Sequence, residues 1–276
     1  MKKPPAARAV VNLRRAYFEC RYGQLHVRTA FPSTGGFDES VPLLLLHDCP
    51  YSSLTCVPLL TAIGADRSAY AADTPGFGES DAPPKRPTIA DYAAAIGDFL
   101  DNLRLRRLDV LGHHAGAAIA AELAIARPTA VRRVVFVGLP VHTTQERDGF
   151  IAKPYPKPPS ADGGHARDEW TRALARGGAG ATPEELGSGL AQCLASGPHG
   201  WWGPAAAFQW AAPERLPLVT QPSLVLRPKD ALWEATLRGQ RLLRSADWQD
   251  LPAAGSNVLE AGVSDVAVRV RRFLDR

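Results

Sequence analysis

Residues 112 to 116 read Gly-His-His-Ala-Gly. The spacing G-x-X-x-G sets a central residue, here His114, on a sharp strand-to-helix turn whose flanking glycines, Gly112 and Gly116, permit unfavourable dihedrals and close helix–strand approach. An imidazole in that place has an ordinary pKa of about 6.5, which suits general-base work at neutral pH. It can also serve as a covalent nucleophile. Neighbouring His113 leaves the turn on the opposite side and reads as packing. His47 ends an apolar run and reads as a residue that orders a loop through hydrogen bonds. Adjacent side chains on a turn diverge and no third ligand accompanies the two histidines, so no metal is expected. Cys20, Cys49, Cys56 and Cys193 show neither C-x-x-C spacing nor the density of a disulfide scaffold, and read as free thiols.

The elements that must hold this turn follow from hydrophobic patterning. "AYFECRYGQLHVRTAF" (16–31) alternates about Tyr22-Gly23 as two antiparallel strands at a sheet edge would. "VPLLLLHD" is a short apolar run suited to a strand buried on both faces. "SAYAAD" is a further strand, and Thr88 with Asp91 forms a capping box for the helix "IADYAAAIGDFLDNL". The strand "RRLDVLG", the helix "AGAAIAAELAIAR" and the strand "VRRVVFVGL" continue the alternation, which predicts a mostly parallel sheet covered by helices on both faces. From Pro140 to about Pro217, Pro- and Gly-rich stretches such as "KPYPKPPSADGGHA" and "RGGAGATPEEL" break up short helical pieces, which indicates a helical insertion. "PSLVLRP" and the amphipathic "SDVAVRVRRFLDR" resume the core.

A chain of 276 residues, 45% hydrophobic, is long enough for one large core with an inserted subdomain. The net charge of +4 arises from 32 basic and 28 acidic residues, and the arginines are scattered. Neither nucleic acid nor membrane is therefore an expected partner. No apolar stretch of signal-peptide or membrane-spanning length is seen, so a cytoplasmic protein is expected.

Four blocks in order, "LLLLHD", "DTPGFGESDAPP", "GHHAG" and "PSLVLRPKDAL", resemble the α/β-hydrolase family over essentially the whole chain. The resemblance implies a nucleophile at His114, an orienting acid at Asp230, and a base in "LPAAGSN", where Ser256 stands in place of His. It implies oxyanion-hole amides at Ala115 and Cys49, and it places Asp48 where the family has Gly. Losing Ser or His from a Ser triad costs a factor of about 10⁶, so an ordinary Ser-esterase mechanism is excluded. A carboxylate at Asp48 facing the pocket would repel a developing oxyanion.

The resulting expectations are an α/β-hydrolase core over 1–139 and 216–276 and a helical cap over 140–215. Without any cofactor, His114 would act as base or nucleophile, paired with Asp230 directly or through Ser256 or water. The chemistry would be hydrolysis, or lyase-type carbonyl chemistry, on a small, largely apolar substrate. Asp48, His142, Trp201, Trp202 and Trp210 are the expected pocket residues, with Trp170 and Trp233 nearby. The alternative is a non-catalytic small-molecule binding or sensor protein that kept the pocket. A homo-oligomer is compatible with either.

Overall fold

The computed structural model describes residues 11–33, 40–152, 160–177 and 181–276. The expected breaks at 153–159 and 178–180, most of the loop at 34–39 and the opening residues 1–10 lie outside the described residues. In chain order the elements are β1 (Val11–Cys20), β2 (Gly23–Pro32), β3 (Leu43–Leu46), α1 (Val57–Ile63), β4 (Ala69–Ala72), α2 (Ile89–Asn102), β5 (Leu108–His113), α3 (Ala115–Ala126) and β6 (Val131–Val137). Then come α4 (Thr144–Ile151), α5 (Gly164–Gly177), α6 (Pro183–Ala195), α7 (Trp202–Gln209), α8 (Ala212–Arg215), β7 (Ser223–Pro228), α9 (Trp233–Arg238), β8 (Ala246–Leu251) and α10 (Val263–Leu274).

The eight described strands form one sheet in the order β1-β2-β4-β3-β5-β6-β7-β8, antiparallel at β1–β2 and β2–β4 and parallel elsewhere. The four leucines of β3 show why the central strands are continuous apolar runs. Leu44 and Leu46 enter the core shared with α2 and α3, while Leu43 and Leu45 enter the core shared with α1 and α10. β8 was not expected from the sequence. "ADWQDL" is a polar, alternating edge strand whose residues are mostly half-exposed, so it carries no buried-strand signature.

Strand order places the chemistry. β3 connects through α1 to β4 on one side, and the chain returns through α2 to β5 on the other, which makes the β3/β5 boundary the switch point where α/β sheets open a crevice. The register pairs Leu46 with Gly112. Two residues further along each strand, Asp48 and His114 therefore leave the sheet side by side.

The helices between β6 and β7 are anchored to α3 through a buried acid. Glu122, 5% exposed on an otherwise apolar helix, accepts from Trp210 Nε1 (2.8 Å) and from both Nε and a terminal nitrogen of Arg215 (2.8 and 2.7 Å). Removing the carboxylate orphans a buried indole N–H and a guanidinium. Glu122→Ala is expected to lower the unfolding free energy by ~2 kcal/mol, read from the denaturant midpoint. An unchanged midpoint contradicts the anchoring role.

Candidate active site

His114 caps α3 with φ 49° and ψ −110°, a left-handed backbone that costs a non-glycine residue about 1–3 kcal/mol. Its neighbours make the turn affordable. A Cβ at Gly116 would stand 2.2 Å from the Leu46 carbonyl oxygen, so only glycine lets α3 come this close to β3. At the end of β6, a Cβ at Gly138 (φ +68°) would lie 2.5 Å from His114 Cδ2. Gly138 thus leaves the space that the ring occupies. Its sequence signal is a Gly directly after the apolar "VVFV".

The ring is held at both nitrogens. Nε2 donates to Asp230 Oδ2 at 2.8 Å, and Nδ1 faces Asp48 Oδ2 at 3.3 Å. Asp230 is fully buried at the end of β7, and its second oxygen accepts from the Leu232 amide at 2.8 Å. Asp48 stays 20% exposed, and its Oδ1 accepts from the Ala115 amide at 3.3 Å. The His114–Asp230 contact is direct. Ser256 lines the same cavity without standing between the two.

Burial alone would push the His114 pKa down, but the Asp48 charge, the two carboxylate hydrogen bonds and the Asp230 charge outweigh it and hold the imidazole at about 10. Burial would raise both acids, and the His114 cation brings each below its ordinary value. The resting group at neutral pH is therefore an imidazolium between two carboxylates. In that state the ring has no free lone pair, and the Ala115 amide donates to Asp48.

His47 organises the loop that carries Asp48. Its Nδ1 donates to the Asp48 carbonyl at 2.8 Å and its Nε2 accepts from the Thr74 amide at 2.9 Å, which fixes a neutral ring, and burial lowers its pKa. Asp73 ties down the "DTPGFGES" loop through His26 Nδ1 (2.7 Å) and the amides of Ser53 and Glu79. Ser52 donates to Gln192 on α6 at 2.8 Å, which links the Asp48 loop to the helices over the site.

A cavity of about 150 Å³ opens on Asp48, His113, His114, Ser256, Glu185 and Glu260, among others. The other expected pocket residues stand elsewhere, each for a stated reason. Trp210 is committed to Glu122, Trp201 lies under Arg86, and Trp202 packs on His199. His142 stacks on Phe208 at 3.9 Å, and Trp233 lies beneath Arg227. Cys49 is buried outside the lining, and burial together with Asp48 raises its thiol well above the usual range, which disfavours the thiolate. His113 was expected to be packing, yet it lines the cavity. Glu185 and Glu260 left no sequence signal.

Among the described residues, ligand atoms of His113, His114 and Asp230 lie within 4.8 Å of one another, so the acid expected to pair with His114 also stands near His113. A metal ion there would compete with the 2.8 Å hydrogen bond between His114 and Asp230.

The clamp gives a direct spectroscopic prediction. Ring ¹⁵N shifts of His114 should report both nitrogens protonated at pH 7 and titrate near pH 10. Because that value exceeds the pKa of about 6.5 in an unfolded chain, the clamp stabilises the fold fully below it, and the contribution fades as pH rises towards 10. Asp48→Asn should lower the His114 pKa by at least one unit, or about 1.4 kcal/mol. A neutral His114 ring at pH 7 in the unaltered protein contradicts the clamp.

Comparison with known proteins agrees with this fold. Residues 41–158 match a family model described as the alpha/beta hydrolase fold. A proline iminopeptidase from Heyndrickxia coagulans is 30% identical over 105 residues, 36% of either chain. The chain thus matches about a third of the length of such curated relatives. Among solved structures, an enol-lactonase from Burkholderia xenovorans superposes with a TM-score of 0.77 at 17% identity, covering 95% of this chain and 100% of that one. An epoxide hydrolase from Vigna radiata gives 0.72 at 16% identity, covering 95% and 98%. Sheet order, the turn at His114 and the matched residues together show that this chain has the α/β-hydrolase fold.

Proposed function

We propose that the protein is a hydrolase whose nucleophile is the Asp48 carboxylate, with the elbow supplying the imidazole. The observation that carries this reading is the chain Asp48 Oδ2–His114–Asp230, together with the Ala115 amide on Asp48 Oδ1. A carboxylate in an oxyanion hole defeats direct attack on a carbonyl substrate, because it repels the developing charge. The same carboxylate is well placed to attack an electrophilic carbon itself. The cavity in which it stands limits the substrate to a small molecule.

The steps balance for a substrate whose carbon carries an oxygen or halide leaving group. Asp48 Oδ2 forms a C–O bond as the C–O or C–halide bond of the substrate breaks; an alkoxide leaving group takes the proton from His114, whereas with a halide leaving group that proton passes to solvent as the pKa of the ring falls. The enzyme now holds an alkyl ester on Asp48. Esterification removes one of the two anions that kept His114 charged, so its pKa falls when a base is needed. His114, still oriented by Asp230, takes a proton from water, and the hydroxide attacks the Asp48 ester carbonyl. The resulting oxyanion lies on the Ala115 amide. Collapse expels the product alcohol, which takes the proton of the new hydroxyl, and Asp48 returns as carboxylate with His114 protonated.

The second reading is a binding protein on a hydrolase scaffold. It is favoured by one observation: both His114 nitrogens are already committed to carboxylates.

Trapping separates the two. With small alkyl bromides, which lose halide without acid assistance, His114→Gln should accumulate an ester on Asp48, seen as an alkyl mass increment on the Asp48 peptide. Adding Asp48→Asn to that variant should remove the adduct. Wild-type turnover with no adduct on Asp48 in the variant overturns the nucleophile assignment. Ligand-induced thermal stabilisation with neither turnover nor adduct favours the binding protein.

A further inference from the structure

Asp48 stands at the head of a short loop that is closed on itself and tied to the core. Its carbonyl accepts from His47 Nδ1 at 2.8 Å and from the Tyr51 amide at 3.1 Å, so residues 48 to 51 form one tight turn. Two residues beyond Tyr51, the Ser53 amide donates to buried Asp73 at 2.6 Å. Backbone joined this closely and packed this densely passes a displacement of any of its residues on to Asp48.

Three contacts on this loop come from α6 and α7, which lie between β6 and β7 in the chain. Gln192 of α6 accepts from the Ser52 hydroxyl at 2.8 Å and from the Ser52 amide at 3.1 Å, while its own nitrogen turns back to the Ser188 carbonyl at 3.3 Å. Ser52 is buried, so without Gln192 its amide and hydroxyl would be left as donors with no partner from α6. Gly189, on the same face of α6, lies against Tyr51, where a Cβ would stand 3.5 Å from the ring. On α7, a Cβ at Gly203 would stand 2.5 Å from both Cβ and Sγ of Cys49. Glycine there lets the α7 backbone rest directly on the residue that follows Asp48.

We propose that Gln192 is a positioning residue, which together with Gly203 seats the loop 48–52 so that the Asp48 carboxylate meets His114 and the Ala115 amide. Both of those contacts are 3.3 Å, at the long end of hydrogen bonding, so a shift of a few tenths of an ångström in the loop weakens them. The helices over the cavity therefore do more than cover it, because they complete the geometry of the carboxylate beneath them. Only the catalytic consequence rests on Asp48 being the nucleophile; the seating itself is read without turnover.

A double-variant cycle on the titration of the His114 ring, followed by ¹⁵N shifts, tests the proposal. Gln192→Ala should lower the His114 pKa by about half a unit, which is roughly a threefold loss of proton affinity, because Asp48 is no longer held against the ring. In the Asp48→Asn background the same change should have no effect, since the residue through which Gln192 acts has lost its charge. Gly203→Ala presses on Cys49 from the other helix and should behave alike, with a lowered pKa that again disappears in the Asp48→Asn background. Unchanged amide spectra of the central strands show that the variants stay folded. No shift in Gln192→Ala, or an equal shift in the Asp48→Asn background, overturns the proposal. The alkyl-bromide trap keeps it separate from the nucleophile assignment. Coupling with no ester on Asp48 removes that assignment alone, and an ester without coupling removes this proposal alone.

Discussion

The site depends on one constraint, an imidazole fixed between two carboxylates on a strained turn. His114 adopts a left-handed backbone that few residues accept, and the strain is tolerated because Gly116 admits α3 against β3 and Gly138 admits the ring. The ring then has two anions to face, Asp230 from β7 and Asp48 from β3. Each element is positioned by the switch in strand order, so the charge arrangement is a consequence of topology before it is a consequence of chemistry.

That arrangement gives Asp48 its meaning. Considered as a replacement for glycine beside an oxyanion hole, it looks like damage, because its carboxylate occupies the Ala115 amide. Considered with His114, it is the third member of a carboxylate–imidazole–carboxylate chain in which the charge on one end sets the proton affinity of the middle. An imidazolium beside a free carboxylate serves as an acid, and the same ring beside an ester becomes a base. Under the proposed mechanism one side chain performs both proton transfers.

Much of this was legible in the sequence because it is encoded locally. The all-leucine β3, the Thr88 capping box, the glycine-flanked elbow and the position of Asp230 are each written within a few consecutive residues. What was not legible depends on distance or on competing partners. Trp210 reads as a pocket aromatic until Glu122, 88 residues away, takes its indole N–H. Glu185 and Glu260 look like solvated charges until α6 and the loop before α10 bring them to one opening. The protonation of His114 could not be read from "GHHAG", since it is imposed by residues at 48 and 230.

The measurement that bears most directly on the central claim is the fate of oxygen in a single turnover in H₂¹⁸O with enzyme in excess over substrate. If Asp48 is the nucleophile, the product of the first turnover carries unlabelled oxygen taken from the carboxylate, and ¹⁸O appears in the peptide containing Asp48. Product labelled in that first turnover, with Asp48 left unlabelled, would mean that water attacks the substrate directly and would contradict the account.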